Sequence, residues 1–462
     1  MKRKVEGDKF KKQPNVLYIL ADQWRAQSFG YTGNPDVKTP NIDNLAAHSI
    51  NMTNAVAGCS VCCPARASML TGQYPLTHGV FVNDVNLGDT GPSIAQALES
   101  SGYETGFIGK WHVDGNGRSD YIPPERRKGF NYWKALECTH DYNESFYFSG
   151  RDVTKRQWDG YDAIAQTSDV EQYLRDHRES NAPFFLLLSW GPPHAPYDTA
   201  PQEYRAMYDS SVIKLPPNVP ESSASRAREW LAGYYAHCTA LDDCVGRLRS
   251  QLEEVGLAEN TIVLFTSDHG DMLGSQGHTK KQKPWEESVR VPFLLHCPSL
   301  FGSDGRKCDA PIDSPDVMPT LLGLCGVSVP RTVEGVDFSE YLGAGPGAGS
   351  DPSDGSVLLA SYHPFGQWPA AAGGIEYRGI RTRQYTYVRS LHSAWLLYDN
   401  TKDPHQMNNL VDAHDYADVQ RLLETQLQEK LKALNDDFLP GLEYVSKWGY
   451  PLDDTGSVPY RW

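Results

Sequence analysis

A mainly parallel α/β sheet flanked by helices, followed by a smaller α+β C-terminal domain, is the architecture that this sequence predicts. Three observations carry it: continuous apolar runs recur with helix-like stretches between them, four of those runs end in unusual polar residues, and the composition shifts once to Gly, Pro and Ser. The first run, 16–21 (Val-Leu-Tyr-Ile-Leu-Ala), shows no alternation and suits a strand covered on both faces. Similar runs stand at 103–108, 184–189, 261–266 and 291–296. Helix-like stretches at 93–101, 161–178 and 230–255 separate them, the pattern of strand–helix–strand units. The Gly/Pro/Ser-rich stretch 342–356 reads as a flexible connection and divides the chain into a catalytic-sized domain, 14–341, and a small one, 357–462. In the small domain 357–362, 375–383 and 385–389 are β-rich, and 417–434 has the spacing of an amphipathic helix.

Composition narrows the function. At 462 residues the chain exceeds what one core comfortably covers. A net charge of −15 excludes a nucleic-acid footprint, so an anionic substrate has to be held by a local basic pocket. Nine cysteines, an odd count, do not make a disulfide framework. Cys59, Cys62 and Cys63 contain a Cys-x2-Cys half-site, but no second Cys/His pair follows to complete a zinc site. Cys138, Cys238, Cys244, Cys297, Cys308 and Cys325 are expected to be ordinary buried thiols. The basic start, 1–12, has no apolar segment of a signal peptide, and no run is long enough to span a bilayer. The expectation is a cytoplasmic protein as written, or an exported one whose signal has been lost, with neither nucleic acid nor membrane as partner.

The polar residues at the run ends are Asp22-Gln23, Lys110-Trp111-His112, Pro193-His194 and Ser267-Asp268-His269. In a parallel sheet those ends share one edge, where ligand sites form. Asp22, Gln23, Asp268 and His269, brought together, offer the donors of a divalent-cation site; the alternative is that each Asp caps the following turn. Oxygen donors favour Ca2+ or Mg2+, and the imidazole keeps Mn2+ open.

Cys62 precedes Pro64 and the helix-forming stretch 65–70, which places it at a helix N-terminus. Free N–H groups and the macrodipole favour negative charge there and would also depress a thiol pKa, so a thiolate nucleophile is one reading of Cys62. Arg66, one turn later, falls on the same side of the helix.

The string Ser60-Val-Cys-Cys-Pro-Ala-Arg-Ala-Ser-Met-Leu-Thr-Gly72, followed by Gln73-Tyr74-Pro75, resembles the signature of the type I sulfatases. The resemblance runs from Asn15 to Pro292 and resumes at 398–410. It implies an alkaline-phosphatase-like fold with a small antiparallel C-terminal sheet, and oxidation of Cys62 to formylglycine by a maturase. It also implies Ca2+ held by Asp22, Gln23, Asp268 and His269 with position 62. Most members have Asp where this chain has Gln23, a form that resembles choline sulfatases and phosphonate monoester hydrolases. The pattern Lys-x3-aromatic-acid, ending in Trp285-Glu286, is similar to the family's spacing for its sulfate-binding lysine, so the resemblance implies that role for Lys281 and not for Lys280 or Lys283. Arg66, Lys110, His112, His194 and Lys281 would complete the catalytic set, with His194 as acid and His112 as base. His278 and His78 are candidate substrate contacts. The expected activity is hydrolysis of a sulfate monoester, on a sulfated saccharide by analogy. Phosphate or phosphonate ester hydrolysis, thiol-dependent chemistry and a binding-only role are the alternatives. His363, Trp368, Tyr377, Arg378, Arg381, Arg383 and His392 either line an outer pocket or pack the small sheet.

Overall fold

The computed structural model describes residues 13–343 and 349–461. Part of the expected connection, 344–348, lies outside the described residues. The main sheet has ten strands. Its centre is a parallel block in the order Thr261–Ser267, Asn15–Asp22, Phe184–Pro193, Glu104–Lys110, Tyr132–Leu136. The first strand is buried along its whole length, as its unbroken apolar run requires. Val16, Tyr18 and Leu20 join one hydrophobic cluster while Leu17, Ile19 and Ala21 join another, so the period of two sends successive side chains to opposite helical layers.

One strand runs against expectation in direction. Phe293–His296 pairs antiparallel with Thr261–Ser267. The chain between them, 268–292, holds only two short helical turns, Ser275–Gly277 and Glu286–Val289, and folds back over the sheet instead of packing a helix across it. The intervening residues are therefore released as a long turn over the sheet edge, and they carry Asp268, His269 and Lys281.

The helices follow the sequence pattern with small changes at their ends. Asp162–Asp176 and the 31-residue helix Ala224–Glu254 pack on each other and on the sheet. Ile94–Glu99 starts with a capping box, in which the Ser93 side chain accepts from the Gln96 N–H and the Gln96 side chain accepts from the Ser93 N–H. The C-terminal part forms a four-stranded antiparallel sheet, Ser356–Ser361, Tyr377–Thr382, Tyr385–Ser390 and Ala394–Asp399, with helix Ala417–Ala433 laid over it through Leu423, Leu427 and Leu431. Among the described residues no helix is long and apolar enough to cross a membrane.

Candidate active site

The parallel block fixes where the polar residues meet. Asp22 ends one strand and Lys110 another, His194 follows Pro193, and Asp268 follows Ser267. In register, Asp22 sits beside Pro193 and Ala21 beside Ser267, so the strand ends open on a single edge.

Cys62 is the first residue of helix Cys62–Thr71, entered through an extended Val61, and is 1 % exposed. Its Sγ stands 3.2 Å from His269 Nε2 and 3.8 Å from Asp22 Oδ1. Burial and Asp22 oppose a thiolate, but Lys281, Lys110 and His269 outweigh them and hold the Cys62 thiol well below its ordinary range. By contrast Cys59 is pushed up to about 12 by burial. All nine cysteines are buried and free.

Arg66 is the strut of the site. Its Nε donates to Asp268 Oδ2 at 2.9 Å and one terminal nitrogen donates to Asp22 Oδ2 at 3.2 Å. The other terminal nitrogen donates to the Lys110 carbonyl at 2.9 Å and to Ser189 Oγ at 2.7 Å. One planar guanidinium therefore ties the helix that Cys62 opens to four strands, at the ends carrying Asp22, Lys110 and Asp268 and within the strand at Ser189. Lys110 Nζ adds a 2.6 Å contact to Asp22 Oδ2. Burial works against the Asp22 charge, but Lys110 and Arg66 overcome it and hold that carboxyl well below the usual range. Asp268 goes the other way, raised by burial and by Asp22 next to it.

Asp22, Cys62, Asp268 and His269 each point one ligand atom inward, and those atoms lie within 4.8 Å of one another, all buried. His269 Nδ1 donates to the Gly270 carbonyl at 3.0 Å, which turns Nε2 toward the carboxylates, and Asp268 raises the pKa of the ring against the effect of burial. A hard cation fits such a set, since two buried carboxylates share too little positive charge for both to ionise comfortably. Gln23 holds a left-handed φ of 70° and its side chain bridges two partners. Nε2 donates to Asp271 Oδ2 at 2.6 Å, and Oε1 accepts from Lys281 Nζ at 2.7 Å. The amide oxygen is thus engaged by Lys281, whose charge also lowers Asp22.

Lys281 is the lysine that enters the site. Its neighbours Lys280 and Gln282 have φ of 60° and 72°, and these left-handed residues direct alternate side chains apart. Lys283 turns away, its Nζ donating to the Lys281 carbonyl at 2.8 Å and lying over the Trp368 ring. His194 Nδ1 donates to the Ala195 carbonyl at 2.8 Å, so Nε2 is its free acceptor; burial and Lys281 hold the ring neutral. His112, at φ 58°, has no hydrogen bond in good geometry on either ring nitrogen, with Asp84 Oδ1 3.7 Å from Nε2. Burial resists its charge, but Cys138, Cys63 and Asp84 raise its pKa well above the ordinary value.

Two expected substrate contacts do not join this cluster. His78 is buried among packing groups: the Val80 N–H donates to Nδ1 at 3.0 Å, and Nε2 donates to Ser68 Oγ at 3.0 Å. Both nitrogens are spent, and burial lowers the pKa to about 3. His278 stacks on Trp285 at 5.2 Å and meets Trp368 edge-on, where the small sheet packs against the turn, apart from the carboxylates. The C-terminal candidates mostly pack too. Arg378 pairs with Asp436, Arg381 with Glu286 and Arg383 with Asp351; Trp368 and Tyr377 are buried; His363 contacts the Gly456 carbonyl; His392 is exposed.

Several site residues were missed. His140 stacks on His194 at 4.6 Å, Asp84 binds Arg118 through two contacts of 2.9 and 2.8 Å, and Asp271 orients Gln23. Only Ser189 carried a signal, a polar residue inside an apolar run.

This arrangement matches known proteins over most of its length. The Sulfatase family model matches residues 14–327, and the model described as N-sulphoglucosamine sulphohydrolase, C-terminal, matches 274–433. The chain is 42% identical over 455 residues to the ulvan-active sulfatase of Formosa agariphila, covering 97% of this chain and 87% of that protein. It is 30% identical to the endo-4-O-sulfatase of Bacteroides thetaiotaomicron, with 92% of each covered. The structure of the putative sulfatase yidJ from Bacteroides fragilis superposes with a TM-score of 0.83 at 30% identity, covering 96% of this chain and 100% of that one. The chain belongs to the sulfatase family and is a hydrolase of sulfate esters with the alkaline-phosphatase-like fold.

Proposed function

We propose that this sulfatase acts on sulfate monoesters of saccharides, through a formylglycine made from Cys62 and a divalent cation, Ca2+ or else Mg2+ or Mn2+. The observation that carries the reading is the placement of Cys62 Sγ within one buried group with Asp22, Asp268 and His269. The Sγ stands in for an oxygen of the modified side chain. The hydrated aldehyde supplies two hydroxyls on one carbon, one to displace the ester at sulfur and one whose deprotonation then expels sulfate and restores the carbonyl. Asp22, Gln23, Asp268, His269 and position 62 would hold the cation, which supplies Lewis-acid stabilisation of developing negative charge.

The remaining roles fall to side chains of this chain. Lys110 and Lys281 add positive charge beside the transferring group, and Arg66 keeps both carboxylates in place without moving. His194 Nε2 is the atom that would protonate the leaving alcohol. Because the ring is neutral in the free protein, that proton arrives as the anionic substrate binds. His112 is the candidate to take the proton of the second hydroxyl; Cys138, Cys63 and Asp84 favour its charged form in the free protein, so it would first have to give up a proton to serve as that base. A formylglycine-generating maturase is the partner this scheme requires.

The ulvan-active relative supports a saccharide as the substrate. Gln23, in place of a second Asp, favours one rival: a phosphate or phosphonate monoester hydrolase, or a choline-sulfatase-like enzyme for small substrates. Rates on aryl sulfate, phosphate and phosphonate esters of one leaving phenol, and on sulfated glycans and choline sulfate, separate these. The proposal expects sulfate release from a glycan and the fastest aryl turnover on the sulfate; phosphonate preference, or choline sulfate alone, contradicts it.

A further inference from the structure

A groove of about 600 Å³ is bounded by two segments that flank site residues in the chain. One wall is Ala195–Asp198, which follows His194, and the other contains Lys280, which precedes Lys281. The walls are tied to the catalytic residues by a short chain of contacts. Tyr197 OH donates to Asp271 Oδ2 at 2.5 Å, the same oxygen that receives the Gln23 amide, and Gln23 receives Lys281. Nothing in the sulfate chemistry above needs this groove.

Its lining has a definite chemistry. Trp230 and Tyr208 supply aromatic surface. Tyr208 is held rigid, because its hydroxyl bonds Thr239 Oγ1 at 2.6 Å and accepts the Lys38 N–H at 2.9 Å. Around them stand Arg205, Asp198, Glu229 and Lys280. Two cations and two carboxylates leave no net field to select an anion, while offering donors and acceptors for hydroxyls of either sense. The Lys280 side chain makes no hydrogen bond or ion pair among the described residues, and its residue is held at φ 60°. A half-buried ammonium kept in a strained backbone conformation beside aromatic surface is a binding feature in search of a partner.

We propose that this groove is a saccharide subsite, taking a sugar unit of the substrate next to the one that carries the reacting sulfate, stacked on Trp230 with its hydroxyls at Lys280. The inference rests on the saccharide reading of the site. A pyranose offers an apolar face to an aromatic ring and hydroxyls at its rim, which is what the lining complements, and the volume exceeds what a single sugar fills. The enzyme would therefore read oligosaccharides beyond the sulfated unit, and a small aryl sulfate would leave the groove empty.

The test uses maturase-treated protein as wild type, Trp230→Ala and Lys280→Asn, Asn being a residue that tolerates the left-handed conformation. Each is assayed on 4-nitrophenyl sulfate and on sulfate release from oligosaccharides of ulvan, chondroitin sulfate and heparan sulfate. Expected is a fall of at least about tenfold in kcat/KM on the glycan that wild type desulfates, mostly in KM, with the aryl sulfate rate kept within about twofold. Unchanged glycan kinetics in both variants overturn the subsite and leave the saccharide reading intact. Equal losses on glycan and aryl sulfate in both variants also overturn it, since they mark a structural role. Wild type that turns over the aryl sulfate and none of the three glycans overturns the saccharide reading and the subsite with it.

Discussion

His194 and His78 look alike in the sequence, each a histidine beside Pro-rich motif residues, and the structure separates them by what their ring nitrogens touch. His194 keeps one nitrogen open to the site, whereas His78 spends both on Ser68 and Val80. A general acid matters most when the leaving alcohol is poor. His194→Gln should therefore lose roughly 10²–10⁴-fold in kcat on an alkyl or sugar sulfate and far less on 4-nitrophenyl sulfate. A uniform loss across leaving groups would remove His194 from that role. His78→Ala should instead cost about 1–3 kcal/mol of stability by leaving Ser68 and the Val80 N–H unsatisfied. Its kcat is expected to hold, and urea unfolding together with steady-state kinetics separates the two effects. What was legible at this scale came from residue types that strand ends deliver: Asp22, Lys110, Asp268 and the cysteine at a helix start. His140, Asp84 and Asp271 were not legible, because their relevance arises from contacts between segments far apart in the chain, for which no local pattern exists.

Among the elements, the apolar strands declared themselves because both faces are buried and leave an unbroken run. Ala394–Asp399 and the helix Gly441–Trp448 did not, since six and eight residues give too short a window for a pattern to stand out, even though Gly449 closes the helix in the left-handed conformation. Strand direction was equally silent for Phe293–His296, because direction is set by the path of the connection and not by the strand's own composition. One element carries a pH-dependent cap. The turn at Ser314–Asp316 is closed by Asp313, whose Oδ1 also accepts the Gly58 N–H ahead of the nucleophile helix. Burial, with Asp316 nearby, pushes Asp313 up to about 7, and burial pushes Asp316 up to about 6. Raised values mean that the folded protein holds protons the unfolded chain releases above its aspartate pKa of about 4. Their stabilising contribution is thus full below about pH 4 and is lost as pH rises through about 6 and 7. Asp313→Asn cannot titrate there, so its stability relative to wild type should climb from pH 4 to 7 and then level off. A pH-independent difference in denaturant unfolding would show that the carboxyl stays ionised throughout.

For the molecule as a whole, a net charge of −15 surrounds a site whose substrate is an anion. On the proposed scheme binding would depend on Arg66, Lys110 and Lys281, short-range groups gathered at one edge of the sheet, and not on the long-range field. The same concentration of charge makes the core sensitive to the cation. Asp22, Asp268 and His269 are fully buried at the meeting point of the parallel strands, so a cation bound there stabilises the fold only in its native arrangement. A Ca2+ concentration about a hundredfold over Kd should add about 2.7 kcal/mol, seen as a rise of several degrees in Tm that chelation reverses. Asp268→Asn should lose most of that response. A Tm indifferent to Ca2+, Mg2+ and Mn2+ would argue against the site.

The nucleophile is the point on which the whole scheme depends. Peptide mass spectrometry across Cys62, on protein produced with and without a formylglycine-generating maturase, tests it most directly. The account predicts a loss of about 18 Da at Cys62, the difference between thiol and aldehyde, together with aryl sulfate turnover that appears only in the maturase-treated protein. An unmodified Cys62 in fully active protein would contradict it, and the lowered thiol pKa would then mark Cys62 as a thiolate nucleophile in its own right.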